Sequence, residues 1–302
     1  MSRFDVLGIG ENSLDDVYRL PSFPQPGTAT AKMRVSHRAR LTGGQVATAM
    51  SACARWELRT GYIGTFGDDE NGRMVRQALE DQGVDVTAAP VRHGRNRHAA
   101  ILVDERTGDR VVLWDRDPSM ALDTSAVTTE LVSGARLVHV DDVDEVVSLH
   151  AARLARTAGA IVTSDIERVS ASTPELISAV TVAIFAAHVP PALTGEPDPE
   201  RALRALRQRH PGMLCVTRGE RGALLLAEDM LYDAPAFPVS AIDTTGAGDI
   251  FRAGFIHALL QNQPPPMLLR WANAAAALSC TRHGAMDSVP ALDEVRTLVA
   301  SR

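Results

Sequence analysis

Residues 243–260 read Asp-Thr-Thr-Gly-Ala-Gly-Asp and then Ile-Phe-Arg-Ala-Gly-Phe-Ile-His-Ala-Leu-Leu, a Gly-Ala-Gly turn feeding an apolar helix. A turn of this kind leaves several backbone N–H groups unpaired. They converge with the positive end of the helix dipole on one spot, which makes a receptor for a phosphoryl group. Asp249 falls on the first turn beside that spot. A carboxylate next to an anion site does not bind the anion; it can orient and deprotonate a hydroxyl that attacks phosphorus. The plain structural alternative is a helix cap, because Asp is a favoured capping residue and Gly is common nearby.

Upstream of this turn the chain alternates between strand-like and helix-like segments. Phe4 to Gly10 reads as a buried strand, Gln45 to Trp56 as a helix opened by Gly43-Gly44, Gly61 to Gly64 as a strand, and Asn71 to Gln82 as a helix closed by Gly83. His98 to Asp104 and Arg110 to Asp115, separated by Glu-Arg-Thr-Gly, read as a hairpin. Alternation resumes with strands at Leu137 to Val140, Ala160 to Thr163, Thr181 to Ala186 and Met213 to Thr217, and helices at Val146 to Ala158 and Glu200 to Arg209. Repeated strand–helix–strand units imply a parallel sheet with right-handed crossovers. Two Ala-rich helices follow, Ala247 to Gln261 and Met267 to Thr281, with Pro264-Pro265-Pro266 between them, and a last helix begins near Pro290. The expected fold class is α/β, a central mostly parallel sheet flanked by helices with a small β-sheet lid. The expected organisation is one domain over residues 1–302, its lid formed by about 15–40 and 87–117.

Composition agrees with this layout. Hydrophobic residues make up 45% of the chain but aromatics only 4%, which suits helices packed on a parallel sheet better than an aromatic-rich sandwich. A formal net charge of −6 argues against an extensive nucleic-acid surface. Cys53, Cys215 and Cys280 are far apart and suggest neither a zinc ribbon nor a disulfide framework. The first ten residues lack a signal-peptide core, and the longest apolar run, Leu176 to Val189, is too short to span a bilayer. The expectation is a cytoplasmic protein without membrane or nucleic-acid partners.

The segment Asp243 to Phe255 resembles the second signature of the ribokinase-like (PfkB) carbohydrate kinases. The stretches Thr42 to Trp56 and Gly61 to Gly72 resemble the first, through Gly43, Gly44, Gly61, Gly64, Gly67, Asp68 and Gly72. The opening Val6 to Gly27 is similar to the family's N-terminal segment, and the resemblance runs from about Phe4 to Val295. It implies an ATP-dependent kinase with Asp249 as the base and the amides of Gly246, Ala247 and Gly248 as the anion hole. It implies substrate contacts from Asp15, Gly43 and Gly44, with Thr48 standing where many relatives carry Asn. Thr217, Arg218, Gly219 and Gly222 look like the nucleotide-side loop, and Asn273 like a residue near the adenine. ATP and Mg2+ are the implied cofactors. Many relatives also bind a monovalent cation such as K+, whose ligands map to Asp243, Thr245, Ser279, Arg282, Gly284 and Ser288, several through backbone carbonyls. The lid of such kinases often forms a homodimer.

One departure stands out. Relatives usually carry Asn-x-x-Glu before Leu-Thr-Gly; here the segment is Phe-Ala-Ala-His-Val-Pro-Pro-Ala-Leu-Thr-Gly, Phe185 to Gly195. This points to a divergent branch, similar to the sulfofructose-kinase-like members. Asp141, Asp142, Asp165 and Glu167 follow expected strands, the ligand-binding edge of an open α/β sheet, and Asp141 is taken as a substrate contact. Gly8-Ile9-Gly10 begins like a dinucleotide fingerprint, but Ser13 replaces the third glycine. Arg92, His93, Arg95, Arg97 and His98 form a basic cluster before the hairpin. Arg97, its member nearest the lid strand, is the expected contact for an anionic acceptor. Two other readings stay open at this point: a nucleoside kinase on the same fold, and a non-catalytic sugar- or nucleotide-responsive protein.

Overall fold

The computed structural model describes residues 2–107 and 110–301. Gly108, the end of the expected hairpin connection, lies outside the described residues. The chain begins with β1 (Phe4–Ile9), β2 (Ser13–Leu20), β3 (His37–Gly43), α1 (Gln45–Arg55), β4 (Thr60–Ile63) and β5 (Phe66–Gly67). It continues through α2 (Glu70–Asp81), β6 (Val91–Arg92), β7 (His98–Asp104), β8 (Arg110–Asp115), α3 (Thr129–Ser133) and β9 (Ala135–Val140). The next elements are α4 (Glu145–Thr157), β10 (Ile161–Ile166), α5 (Thr173–Ala179), β11 (Val182–Phe185), α6 (Val189–Thr194) and α7 (Pro199–Arg207). The last are β12 (Met213–Thr217), β13 (Ala223–Ala227), β14 (Met230–Ala234), α8 (Ala247–Leu260), α9 (Pro265–Ser279) and α10 (Leu292–Ala300).

Eight strands form the large sheet in the order β14-β13-β12-β11-β10-β9-β1-β4. From β4 to β12 neighbours run parallel; β13 and β14 close the far edge antiparallel. Alternate residues of β1 and β9 feed opposite faces. Leu7, Ile9, Val138 and Val140 join the core under α4, while Val6 and Leu137 join the core under α1 and α8. Burial on both faces is why these strands read as near-continuous apolar runs. After β1 the chain crosses to β4 on one side and later returns to β9 on the other. The order reverses between β1 and β9, and a crevice opens at the carboxyl ends of strands there.

The small sheet has the order β3-β2-β7-β8, with β7 and β8 an antiparallel pair, as the sequence leads one to expect of the hairpin. Its own core is slight, Val17, Ala99 and Ile101 backed by Leu41 and Val103. The proline triplet does not separate α8 from α9 in the expected way. Pro264 caps α9, and Pro265 and Pro266 occupy its first turn, where a missing N–H costs nothing. The apolar run Leu176 to Val189 divides into the end of α5, β11 and the start of α6. No helix among the described residues is long and apolar enough to cross a membrane.

Candidate active site

Two cavities meet at the turn before α8. The larger, about 540 Å³, is lined by Thr217, Gly219 and Gly222 on one side and by Phe251, Asn273 and Ala277 on the other. The smaller, about 300 Å³, lies between the crevice at the strand ends and the inner face of the small sheet. Thr244 and Gly248 line both. The larger has the size and mostly apolar walls of a cofactor site.

Gly246 caps α8 with φ of +74°, and a Cβ there would lie 2.8 Å from Ala285, so only glycine suits this position. The amides of Gly246 and Gly248 donate to no acceptor among the described residues, whereas Ala247's amide turns to the Thr244 carbonyl at 3.3 Å. Asp249 lines the smaller cavity. Burial pushes its carboxyl well above the usual range; the Arg252 guanidinium opposes this, and Glu167, Glu11 and Asp15 add to the rise.

The acceptor-side residues converge from separate elements. Asp15 reaches in from β2, Gly44 caps α1 at the cavity wall, and Ala99 and Ile101 of β7 with Arg110 and Val112 of β8 form the roof. Burial raises the Asp15 carboxyl, with the Ser13 hydroxyl opposing. Gly43 lies against Asp15, 3.0 Å from its Oδ2 to the site of a Cβ. Thr48 and Asp141 do not line this cavity; both are fully buried. Thr48's hydroxyl makes no hydrogen bond among the described residues. Asp141 accepts from the amides of Glu11 (2.6 Å) and Val143 (3.1 Å), so it holds the loop after β1 instead of facing a ligand.

Of the expected basic cluster only Arg97 lines the cavity. Its guanidinium is ion-paired with buried Glu11 and lies 5.7 Å from the Trp114 ring centroid. Arg92 donates to the Ser119 and Ala121 carbonyls, while His93, Arg95 and His98 pair with Asp68, Asp115 and Asp16. Two arginines that sequence reasoning passed over share the cavity instead. Arg110 donates to the Thr245 hydroxyl at 2.9 Å, and the Arg168 guanidinium makes no hydrogen bond or ion pair among the described residues. Glu11 was missed as well, although its place just after the Gly8-Ile9-Gly10 strand end was a usable signal.

On the nucleotide side, Thr217, Gly219, Gly222 and Asn273 line the larger cavity and Arg218 does not. Arg218 is paired with Asp233. Asn273 donates to the carbonyls of Ala234 (3.0 Å) and Pro235 (3.1 Å), which pins the strand leaving β14 against α9. The residues mapped to a monovalent cation come from two loops that the structure brings together. Asp243 accepts from the amides of Thr245 (2.9 Å) and Gly284 (3.1 Å), and the Cys280 carbonyl accepts from the Ile242 amide. Burial opposes ionisation of Asp243, but those amides hold its carboxyl below the usual range. The Ser279 and Ser288 hydroxyls donate to nearby carbonyls, and Arg282 pairs with Glu294.

Comparison with known proteins shows the family. The model of the pfkB family carbohydrate kinases matches residues 7–292, and the chain belongs to that family. It is 30% identical to an ATP-dependent ribose-1-phosphate kinase of Halopiger xanaduensis over 98% of both proteins. It is 25% identical to a nucleoside kinase of Methanothermobacter thermautotrophicus over 95% of this chain and 92% of that one. The solved structure of Arabidopsis thaliana ribokinase with ribose and ATP superposes over the full length of both chains, with a TM-score of 0.85 at 22% identity. The chain is thus an ATP-dependent kinase of the sugar and nucleoside type with the ribokinase-like fold.

The buried acids after β1 and β9 give stability a pH dependence. Burial pushes Glu11 up to about 7, with Arg97 opposing, and burial with the Glu11 carboxylate pushes Asp141 up to about 8. Both folded-state values exceed the unfolded ones, so the folded protein binds these protons more tightly. The stability they contribute is complete below about pH 4 and is lost as pH rises toward 8. Thermal melts from pH 5 to 8 should therefore fall in midpoint. Asp141→Asn should flatten the decline by up to about 1.4 kcal/mol per pH unit, whatever its absolute stability. An unchanged slope in that variant would contradict the assignment.

Proposed function

We propose that this kinase transfers the γ-phosphoryl group of ATP to a hydroxyl of a sugar derivative carrying a negative charge, across the turn at Gly248. The observation that carries the reading is the meeting of two cavities at one turn with unpaired amides and Asp249 on the acceptor side. The nucleotide occupies the larger cavity, beside Thr217, Gly219, Gly222 and Asn273, and the acceptor the smaller. Asp249 takes the proton of the acceptor hydroxyl as its oxygen bonds to the γ-phosphorus. The bond from that phosphorus to the bridging oxygen breaks, and ADP leaves with the electron pair. The amides of Gly246 and Gly248, with Ala247 at the turn between, hold the transferring oxygens. Asp15, Gly43 and Gly44 orient the acceptor.

The small sheet serves as a lid that excludes competing water. On the face of its edge strand β8 away from the cavity, Val111 and Leu113 are exposed, an apolar pair that supports a lid-to-lid homodimer. Magnesium arriving with ATP would supply neutralisation of the phosphate charge. No group of three or more carboxylates, imidazoles or thiols among the described residues forms a separate cage for it. Asp243 with the backbone of Thr245, Ser279, Arg282 and Gly284, and with Ser288, offers hard oxygen donors of the kind a potassium ion takes, and such an ion would brace the anion-hole loop.

Charge in the acceptor cavity supports the anionic class. Arg97, Arg110 and Arg168 line it together with the acids Glu11, Asp15, Glu167 and Asp249, and among the described residues the Arg168 guanidinium alone of the three makes no hydrogen bond or ion pair, which leaves it for an anion. The relative from Halopiger xanaduensis is named for a phosphorylated sugar. Asp249→Asn keeps the shape of the base and removes its basicity, and turnover should fall roughly 10²–10⁴-fold with ATP affinity retained. Near-parental turnover would refute the base assignment. With matched neutral and anionic sugars, the parent should favour the anionic one in kcat/KM. Arg168→Ala should lose roughly 10–100-fold on the anionic sugar and little on the neutral one. Equal losses on both, or a parental preference for the neutral sugar, would remove the anionic class and leave the kinase.

A further inference from the structure

Arg252 is a full charge buried in α8, whose other buried residues are apolar apart from His257. It follows Asp249 by one turn of α8 and is 1% exposed. Its guanidinium is ion-paired with Asp165, which is 0% exposed, and reaches Glu167 Oε1 at 3.8 Å. Both acids lie at the end of β10, the strand next to β9 in the large sheet. Among the described residues neither Asp165 oxygen nor Arg252 Nε makes a hydrogen bond, so the pair is held by charge. On the other side, Arg252 Nη1 lies 2.6 Å from where a Cβ on Gly248 would stand. The guanidinium is packed directly against the turn shared by both cavities.

A buried ion pair of this kind is poorly justified by stability. Desolvating two charges costs several kcal/mol per ion, and apolar residues of similar volume are often equally stable or better. Location supplies a functional reason, because a fixed positive charge in a water-poor interior acts strongly on charge developing nearby. We propose that Arg252, tethered by Asp165 and Glu167, is a positioning residue for phosphoryl transfer: it shapes the Gly248 turn from inside the protein and gives the transferring group and the Asp249 carboxylate a permanent positive neighbour. This rests on the reading of Asp249 as the base.

The groups facing Asp249 are Arg252 on its own helix, Glu11 after β1, Asp15 on β2, Glu167 and Arg168 after β10, and Arg97 and Arg110 from the small sheet. Arg252 in turn faces Asp165, Glu167, Cys215 and neutral His139. Among these, Arg252 is the largest influence favouring ionised Asp249 against its burial.

The test compares the parent with the apolar double variant Arg252→Met/Asp165→Leu and with Arg252→Lys, which keeps the charge without the planar fork. ATP and the better acceptor of the matched neutral and anionic sugars are the probes. The double variant should melt within a few degrees of the parent, lose on the order of 10²-fold in kcat and keep its KM for ATP within a few-fold. The acid limb of its kcat/KM profile should move to higher pH by about one unit or more, because Asp249 must be deprotonated to act. Arg252→Lys should lose rate several-fold and keep the parent's acid limb. A folded double variant with parental kcat and an unmoved limb would overturn the proposal. So would an Arg252→Lys limb displaced by a unit, and this arm stands alone if the double variant does not fold. Parental behaviour of the Arg252 variants beside an inactive Asp249→Asn removes only this inference, whereas an active Asp249→Asn removes the base on which it rests.

Discussion

The site depends on one constraint: at the start of α8 two backbone amides must stay unpaired and yet be held rigidly between two cavities. Unpaired amides in a partly buried turn are costly unless a ligand or water satisfies them. The surrounding residues support the turn without covering it. Gly246 in the left-handed region aims the chain into the helix, Asp243 binds the turn to the 280–288 loop, Ala285 presses on it from one side, and Arg252 fills the space under Gly248. Each contact approaches from behind or beside the turn, and the face shared by the cavities is left for a ligand.

The same logic explains where the acids lie. The large sheet reverses its order between β1 and β9, and Glu11, Asp141, Asp142, Asp165 and Glu167 collect at the strand ends around that reversal. They do different work. Asp141 and Asp142 accept backbone amides of the Glu11 and Glu167 loops and fix those loops. Asp165 holds a buried guanidinium. Glu11 faces the cavity and is matched by Arg97 coming down from the small sheet, so that pair also links the roof to the floor. A displacement of the small sheet would therefore act directly on charges in the acceptor cavity.

The turn at 243–249 and the parallel α/β layout were legible in the sequence because both are local patterns: a glycine turn entering a helix, and apolar runs at strand length. What could not be read was convergence. The basic cluster at 92–98 looked like one surface, but its members point to different partners, and the cavity's arginines come from residues 97, 110 and 168 on three separate segments. Thr48 lies on a helix face turned wholly into the core. The β13–β14 hairpin escaped notice because its turn places Glu228 and Asp229 at positive φ (47° and 65°), where the usual signal is Asn-Gly. Arg252 did leave a trace, an arginine within the apolar stretch that follows Asp249 in α8, whose meaning required its partner on β10.

The account's central claim is that phosphoryl transfer takes place at the Gly248 turn, between the two cavities and within reach of Asp249. A crystal structure with ADP, aluminium fluoride and the acceptor sugar tests it most directly. The account predicts the fluoride group on the Gly246 and Gly248 amides, ADP in the cavity lined by Thr217 and Asn273, and the attacking hydroxyl hydrogen-bonded to Asp249. A fluoride group bound away from that turn, or an acceptor hydroxyl facing some other base, would contradict it.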